Sequence, residues 1–442
     1  GVMITASHNP PEYNGYKVYD ENGCQAVPEK AHKIIAEIEE INDFSLIKKM
    51  NKETAKAEVF FNIIGKEIDK KYIDSLKKVI PDKDLAAKKG KNLNMIYSPL
   101  HGTGNKAVRS LLKELGFENL EVVEEQAVPD SDFSTLESPN PEEDSAYEMA
   151  LELAEKNNNK AELIFSTDPD ADRLGILVKH GGKYRALNGN ELGVLLSDYL
   201  LGKLKENDDL PAKGVIIKTI VTTEMIRKIA AQYDVEVMDV LTGFKFIGEK
   251  ITEFENDDRE FIFGFEESYG YLAGTHARDK DAIIASGLAA VMALYYKEKG
   301  MSLYDRLREL REKYGYYMED LKAIRLEGKV GQEKINNAIE SLRKEEPKKI
   351  VSKEVITFKD YREQRIVNYK TGKENEIDLP ESNVLQFLLE DESLITVRPS
   401  GTEPKLKLYY AVRGESRKEA ENKLKKLSNN FTDEVEEIID NL

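Results

Sequence analysis

At 442 residues the chain is too long for one ordinary hydrophobic core, so two to four domains are expected. Apolar residues at 40 % and charged residues at 33 %, without long biased tracts, fit a folded globular protein and exclude a largely disordered one. The net charge of −17 argues against a nucleic-acid partner, no stretch approaches the roughly 18 apolar residues that a membrane span needs, and the single Cys24 excludes an internal disulfide and agrees with a reducing cytoplasm.

The apolar Val2-Met3-Ile4 reads as a strand that delivers Thr5-Ala6-Ser7-His8-Asn9-Pro10 into a polar loop. An amphipathic helix follows over 28–41, with Ile34, Ile35 and Ile38 at helical spacing. So few elements cannot bury an independent core, and residues 1–60 read as the remainder of a domain. Over 61–186, strands at 93–98, 120–123 and 163–166 alternate with helices at 72–79, 107–115 and 145–155, a pattern that predicts parallel α/β. Residues 187–315 repeat it, with strands at 214–219, 235–240 and 261–264 and helices near Glu191, Glu224, Phe246 and Ala282. From 316 to 442 the pattern changes to strands and two helices, which predicts an α+β unit with a sheet packed on helices.

The sharpest chemical signal is Asp168-Pro169-Asp170-Ala171-Asp172-Arg173, where three carboxylates alternate directly after an apolar strand. Their mutual repulsion is costly unless a cation sits among the oxygens, and hard oxygen ligands favour Mg²⁺ or Ca²⁺. An EF-hand loop would need Gly at its sixth position and Glu at its twelfth; here these are Arg173 and Lys179. A solvated acidic turn is the remaining alternative. Ser7 alone reads equally well as a turn serine, His8 as an ordinary histidine and Lys17 as a surface lysine, but a hydroxyl near a divalent cation is suited to phosphoryl transfer. Arg398-Pro399-Ser400-Gly401-Thr402, between two strands, combines a guanidinium, hydroxyls and a glycine-freed backbone, as a dianion would require or a tight hairpin would tolerate. Gly264-Phe265-Glu266-Glu267-Ser268 ends another apolar strand with groups able to bind sugar hydroxyls; Thr242-Gly243 and Arg278-Asp279-Lys280-Asp281 are weaker signals.

Taken in this order, these loops resemble those of the α-D-phosphohexomutase family, which contains phosphoglucomutases and phosphomannomutases. Thr5 to Pro10 matches the phosphoserine loop, Asp168 to Arg173 the metal loop, Gly264 to Ser268 the sugar-binding loop and Arg398 to Thr402 the phosphate-binding loop. The details look most like the bacterial phosphoglucomutases of the phosphopentomutase-like branch. The resemblance implies three related α/β domains, the first incomplete in a chain that looks N-terminally truncated, and a C-terminal α+β domain, all around a central cleft. It implies domains at 1–60, 61–186, 187–315 and 316–442.

It further implies interconversion of hexose 1-phosphate and hexose 6-phosphate, with glucose favoured, through phosphorylated Ser7 and a hexose 1,6-bisphosphate. Mg²⁺ would be held by Asp168, Asp170, Asp172 and the Ser7 phosphate, and glucose 1,6-bisphosphate would act as activator. Arg173 would add positive charge, while Lys17 and Lys280, helped by His8, would transfer protons, the lysines having pKa values lowered towards neutrality. Thr242, Gly243, Glu266, Ser268 and Arg278 would contact the sugar phosphate, and Arg398, Ser400, Gly401 and Thr402 its non-reacting phosphate. The expected partner is a small phosphosugar, with no nucleic acid and no membrane, for a cytoplasmic monomer or homodimer. The alternatives are phosphomannomutase or phosphopentomutase activity, a phosphatase using the same serine and metal, or a catalytically silent sugar-phosphate-binding protein.

Overall fold

A computed structural model describes residues 1–400 and 404–441, which divide into two compact units. The first comprises residues 1–218, 230–238 and 243–306; the second comprises 219–229, 239–242 and 307–442.

In the first unit, β1 (Val2–Ile4) and β2 (Tyr16–Val18) form an antiparallel pair, followed by the helix Pro28–Glu39. Of the large apolar side chains over residues 1–64, many stay exposed, including Val2, Ile4, Phe44, Phe60 and Ile63. The next sheet has β3 (Met95–Ser98) paired in parallel with both β4 (Leu120–Val122) and β5 (Leu163–Thr167). Two further strands, β6 (Leu174–His180) and β7 (Lys183–Leu187), join antiparallel, so this sheet is mixed rather than wholly parallel. The reason is local: Gly181 and Gly182 adopt φ of +58° and +78°, the left-handed pair that closes a two-residue hairpin and needs no crossover helix. Ile96, Ile164 and Leu177 of this sheet pack with Val123, Ala146, Ala150 and Ala154 in one buried cluster.

A second sheet carries β8 (Gly214–Thr219), β9 (Glu236–Val240), β10 (Glu260–Phe265) and β11 (Tyr271–Ala273) in the order β11-β10-β8-β9. The helix Ala282–Glu298 is apolar nearly all round and buried along most of its length, as a helix covered on every side must be. Its N-terminus therefore sits deep in the unit, directly after Lys280 and Asp281.

The second unit is built on an antiparallel sheet that runs, among the described residues, from Tyr316–Arg325 through Lys405–Gly414, Leu394–Pro399, Leu385–Leu389 and Lys353–Asp360 to Arg365–Asn368 and Lys373–Glu376. The helices Gly328–Glu345 and Arg417–Asp440 supply Ile335, Ile339, Phe431 and Val435 to its core, packed with Phe358, Phe387 and Leu408. The architecture is thus α/β with a C-terminal α+β unit.

Candidate active site

Two turns meet in the first unit. The first leaves β1: Thr5 donates its backbone N–H to the Gly15 carbonyl, and a side chain at Gly15 would place its Cβ 1.9 Å from the Thr5 oxygen, so only glycine permits the closure. Within this turn Ser7 holds φ of +55°, a conformation that costs a non-glycine residue about 1–3 kcal/mol and concentrates at functional sites. The Thr5 hydroxyl fixes it, accepting from the Ser7 N–H at 2.8 Å while donating to Asp170 at 3.1 Å.

The second turn leaves β5. Pro169 disfavours helical backbone at Asp168, Ala171 takes φ of +58°, and Asp168 Oδ1 accepts the N–H groups of Asp172 and Arg173, both at 2.9 Å. The three aspartates are thereby drawn together, each offering a carboxylate oxygen within 4.8 Å of the others. The Ser7 hydroxyl lies 3.0 Å from His8 Nδ1 and donates to Asp168 Oδ2 at 3.3 Å. Lys17 Nζ contacts Asp170 at 3.0 Å and Asp172 at 3.1 Å; Lys280 Nζ contacts Asp172 at 3.1 Å and Asp279 at 3.2 Å. Gly270 makes way for that lysine, since a Cβ there would lie 2.2 Å from Lys280 Cδ.

Whether a cation fits can be judged from the oxygens. Asp170 Oδ1 and Asp172 Oδ1 are buried without a hydrogen-bond partner, a state that costs carboxylates heavily unless a cation faces them. Burial, with the charges of Asp172 and Asp170 behind it, raises the Asp168 pKa well above the usual carboxylate range. The triad therefore fits a metal ion: without one, Asp168 is pressed to take up a proton.

Burial also works to raise Asp172, but Lys280 and Lys17 outweigh it and hold that carboxyl low. The same ion pairs overturn the expectation for the lysines. Burial would lower both, yet Asp172 and Asp170 raise Lys17, and Asp172 and Asp279 raise Lys280 well above the ordinary lysine value. The neighbours that matter are carboxylates rather than cations, so both ammonium groups stay charged. His8 moves the other way, lowered to about 4 by burial and by the Arg173 charge, so its ring is neutral near pH 7.

Arg173 pairs with Glu142, a partner that sequence reading missed, and its Nε is buried without an acceptor. Glu266, at the end of β10, accepts the Gly243 N–H at 2.9 Å, and burial pushes its carboxyl up to about 7. Ser268 is half-buried in the turn that follows. Arg278 is turned to the Thr275 and Ala277 carbonyls and to Glu255. A cavity of about 560 Å³ lies between Tyr19, Asp170, Arg278 and Lys280. Thr242, Arg398 and Ser400 belong to the second unit, where Arg398 lies one residue before the end of the strand Leu394–Pro399, opposite Lys407, and the Ser400 N–H bonds the Lys405 carbonyl. Gly401 and Thr402 lie outside the described residues. Thr5 was also missed; a hydroxyl two positions before a strained serine was its available signal.

Models of the four phosphoglucomutase/phosphomannomutase domains match in order: α/β/α domain I over residues 1–44, domain II over 70–182, domain III over 188–314 and the C-terminal domain over 325–425. The chain belongs to this family. It is 36 % identical over 418 residues to a phosphoglucomutase of Staphylococcus saprophyticus, covering 94 % of this chain and 74 % of that protein. The Staphylococcus haemolyticus phosphoglucomutase is 37 % identical over 415 residues, covering 93 % and 73 %. Two solved structures share the fold at lower identity. The pp63/parafusin phosphoglucomutase of Paramecium in its open form has a TM-score of 0.68 at 19 % identity, over 100 % of this chain and 77 % of that one. A family protein of Burkholderia thailandensis has a TM-score of 0.61 at 15 % identity, over 99 % and 76 %. With the family placed, the chain is an enzyme of the isomerase class, a phosphosugar mutase.

Proposed function

We propose that the enzyme interconverts glucose 1-phosphate and glucose 6-phosphate, with Ser7 as the phosphoryl carrier, Mg²⁺ as cofactor and glucose 1,6-bisphosphate as intermediate and activator. The observation that carries this is the approach of Ser7 Oγ to the buried triad, 3.3 Å from Asp168. Asp168, Asp170, Asp172 and the phosphate on Ser7 would hold the cation, which when bound supplies positive charge against the oxygens of the transferring group.

In the forward half-reaction the Ser7 O–P bond breaks as a sugar hydroxyl forms its own O–P bond, and the proton that hydroxyl gives up ends on the departing Ser7 Oγ. In the return half the bisphosphate gives its other phosphoryl group to Ser7 Oγ. That hydroxyl must lose its proton, and His8 Nδ1, neutral and 3.0 Å away, takes it and passes it on to the departing sugar oxygen. Lys17 and Lys280, kept charged, stabilise the negative charge on the transferring phosphoryl. Glu266 and Ser268, with Gly243 and Thr242, bind sugar hydroxyls; Arg173 and Arg278 add positive charge; Arg398, Ser400, Gly401 and Thr402 hold the non-reacting phosphate. The substrate is a small phosphosugar, and a cytoplasmic setting is supported by the single Cys24. No helix among the described residues is long and apolar enough to cross a membrane.

Phosphorus NMR of the protein with Mg²⁺, a trace of glucose 1,6-bisphosphate and equimolar glucose, mannose and ribose 1-phosphates tests the proposal. Fastest conversion of the glucose ester is expected. Faster conversion of another ester would transfer the assignment to that sugar, and release of free phosphate without isomerisation would make the protein a phosphatase.

A further inference from the structure

We propose that Asp281 is a positioning residue that sets Lys280 against the metal loop. The inference rests on the reading of Lys280 as a group that acts in phosphoryl transfer.

Asp281 is 5 % exposed and its carboxylate carries more than a helix cap requires. Oδ1 accepts the N–H groups of Ile283 at 2.8 Å and Ile284 at 3.2 Å, which completes the N-cap of the buried helix Ala282–Glu298. Oδ2 is free of that duty. It accepts the Tyr72 hydroxyl and His276 Nε2–H, each at 2.7 Å, from the helix Lys66–Val79 and from the loop ahead of Lys280. The His276 side chain is 6 % exposed, so this contact forms away from water, where a charged acceptor is held most firmly.

The backbone on both sides of the carboxylate is tied as well. The Asp281 N–H donates to the Tyr271 carbonyl at 2.8 Å, and the Ala282 N–H donates to Ala171, inside the metal loop, at 3.1 Å. Lys280 thus precedes two peptides anchored to β11 and to the aspartate turn, while Oδ2 locks the same residue to a separate helix. Its four-carbon stem alone would leave Nζ free to swing; from this fixed root it reaches Asp172 at 3.1 Å. Tyr72 is 209 positions away in sequence, so the contact joins two α/β domains around the catalytic lysine.

Asp281→Asn separates the two duties, because the amide oxygen can still cap the helix while its NH₂ cannot accept from Tyr72 and His276. The expected result is a fall in kcat of about 10–100-fold with KM for glucose 1-phosphate held within about twofold. Acylation of Lys280 by an amine-reactive reagent, read by peptide mass spectrometry against Lys17, should rise. A kcat like that of the wild type, a loss carried by KM, or unchanged Lys280 labelling would overturn the proposal. Tyr72→Phe removes one latch donor without touching the cap and should show the same signature in weaker form; it decides the matter if the first variant does not fold. Lys280→Met is measured in parallel. If it keeps full kcat, the reading of Lys280 fails, while the labelling ratio in Asp281→Asn still reports separately on whether Asp281 positions that side chain.

Discussion

Ser7 stands at the centre of the residue-scale argument, because a strained backbone, a hydroxyl and a buried carboxylate coincide there. Replacing it by alanine removes the proposed phosphoryl carrier but none of the groups proposed to bind sugar phosphate. Turnover should fall by a factor on the order of 10⁴ or more while glucose 1-phosphate still binds by calorimetry, and normal turnover in Ser7→Ala would remove Ser7 from the mechanism. Glu266 supports a prediction about pH. Its folded carboxyl is raised to about 7 from an ordinary 4.5, so between those values the folded state holds a proton that the unfolded state has released. The sign follows: this stability is fully present below pH 4.5 and is lost as pH rises through 7, by at most about 1.4 kcal/mol per pH unit. Denaturation of the wild type and Glu266→Gln across pH 4–8 checks it: the wild type's stability relative to the variant should decline over that window and level off above it. A flat difference would show that burial does not raise Glu266.

At the scale of elements, the helix Gly189–Glu206 offers the cleanest test of local chemistry against chemistry at the site. Asn188 accepts the Glu191 N–H, and Glu191 returns a bond to the Asn188 N–H, a complete capping box. Asn188→Ala should therefore lower stability by about 1 kcal/mol in a denaturant titration and leave kcat unchanged; a loss of kcat would give this cap a role in the site. The contrast between elements also explains what could be read in advance. Strands such as Gly214–Thr219 and Leu163–Thr167 were visible because each carries an apolar run, 215–217 and 163–165, and is buried on both faces. The β6–β7 hairpin was hidden because Lys183–Leu187 is half-exposed and polar, although Gly181-Gly182 marked its turn. Within the site, the aspartates were legible as neighbours in sequence. Glu142 beside Arg173 and Asp172 beside Lys280 were not, since their meeting depends on tertiary closure across 31 and 108 positions, and the lysine pKa values were misjudged for the same reason.

At the scale of the whole molecule, the two compact units have different reasons to be stable. The second is held by an apolar core around Phe358, Phe387 and Phe431, whereas the first contains three crowded carboxylates, two of them with buried oxygens lacking any hydrogen bond. A ligand that binds only the folded state stabilises the unit that holds it, by about 2.7 kcal/mol at a concentration one hundred times its Kd. Mg²⁺ bound by Asp168, Asp170 and Asp172 should act on the first unit alone, since all three residues belong to it. Scanning calorimetry of the full chain should accordingly resolve two transitions, with added Mg²⁺ raising one and a chelator returning it, while the other stays in place. Asp170→Asn should abolish the shift, because it replaces an orphaned carboxylate oxygen of the triad and lowers the charge available to the cation. If the whole endotherm moved together with Mg²⁺, the two units would be unfolding as one cooperative body, and the metal would stabilise the entire chain through its attachment to the aspartate turn.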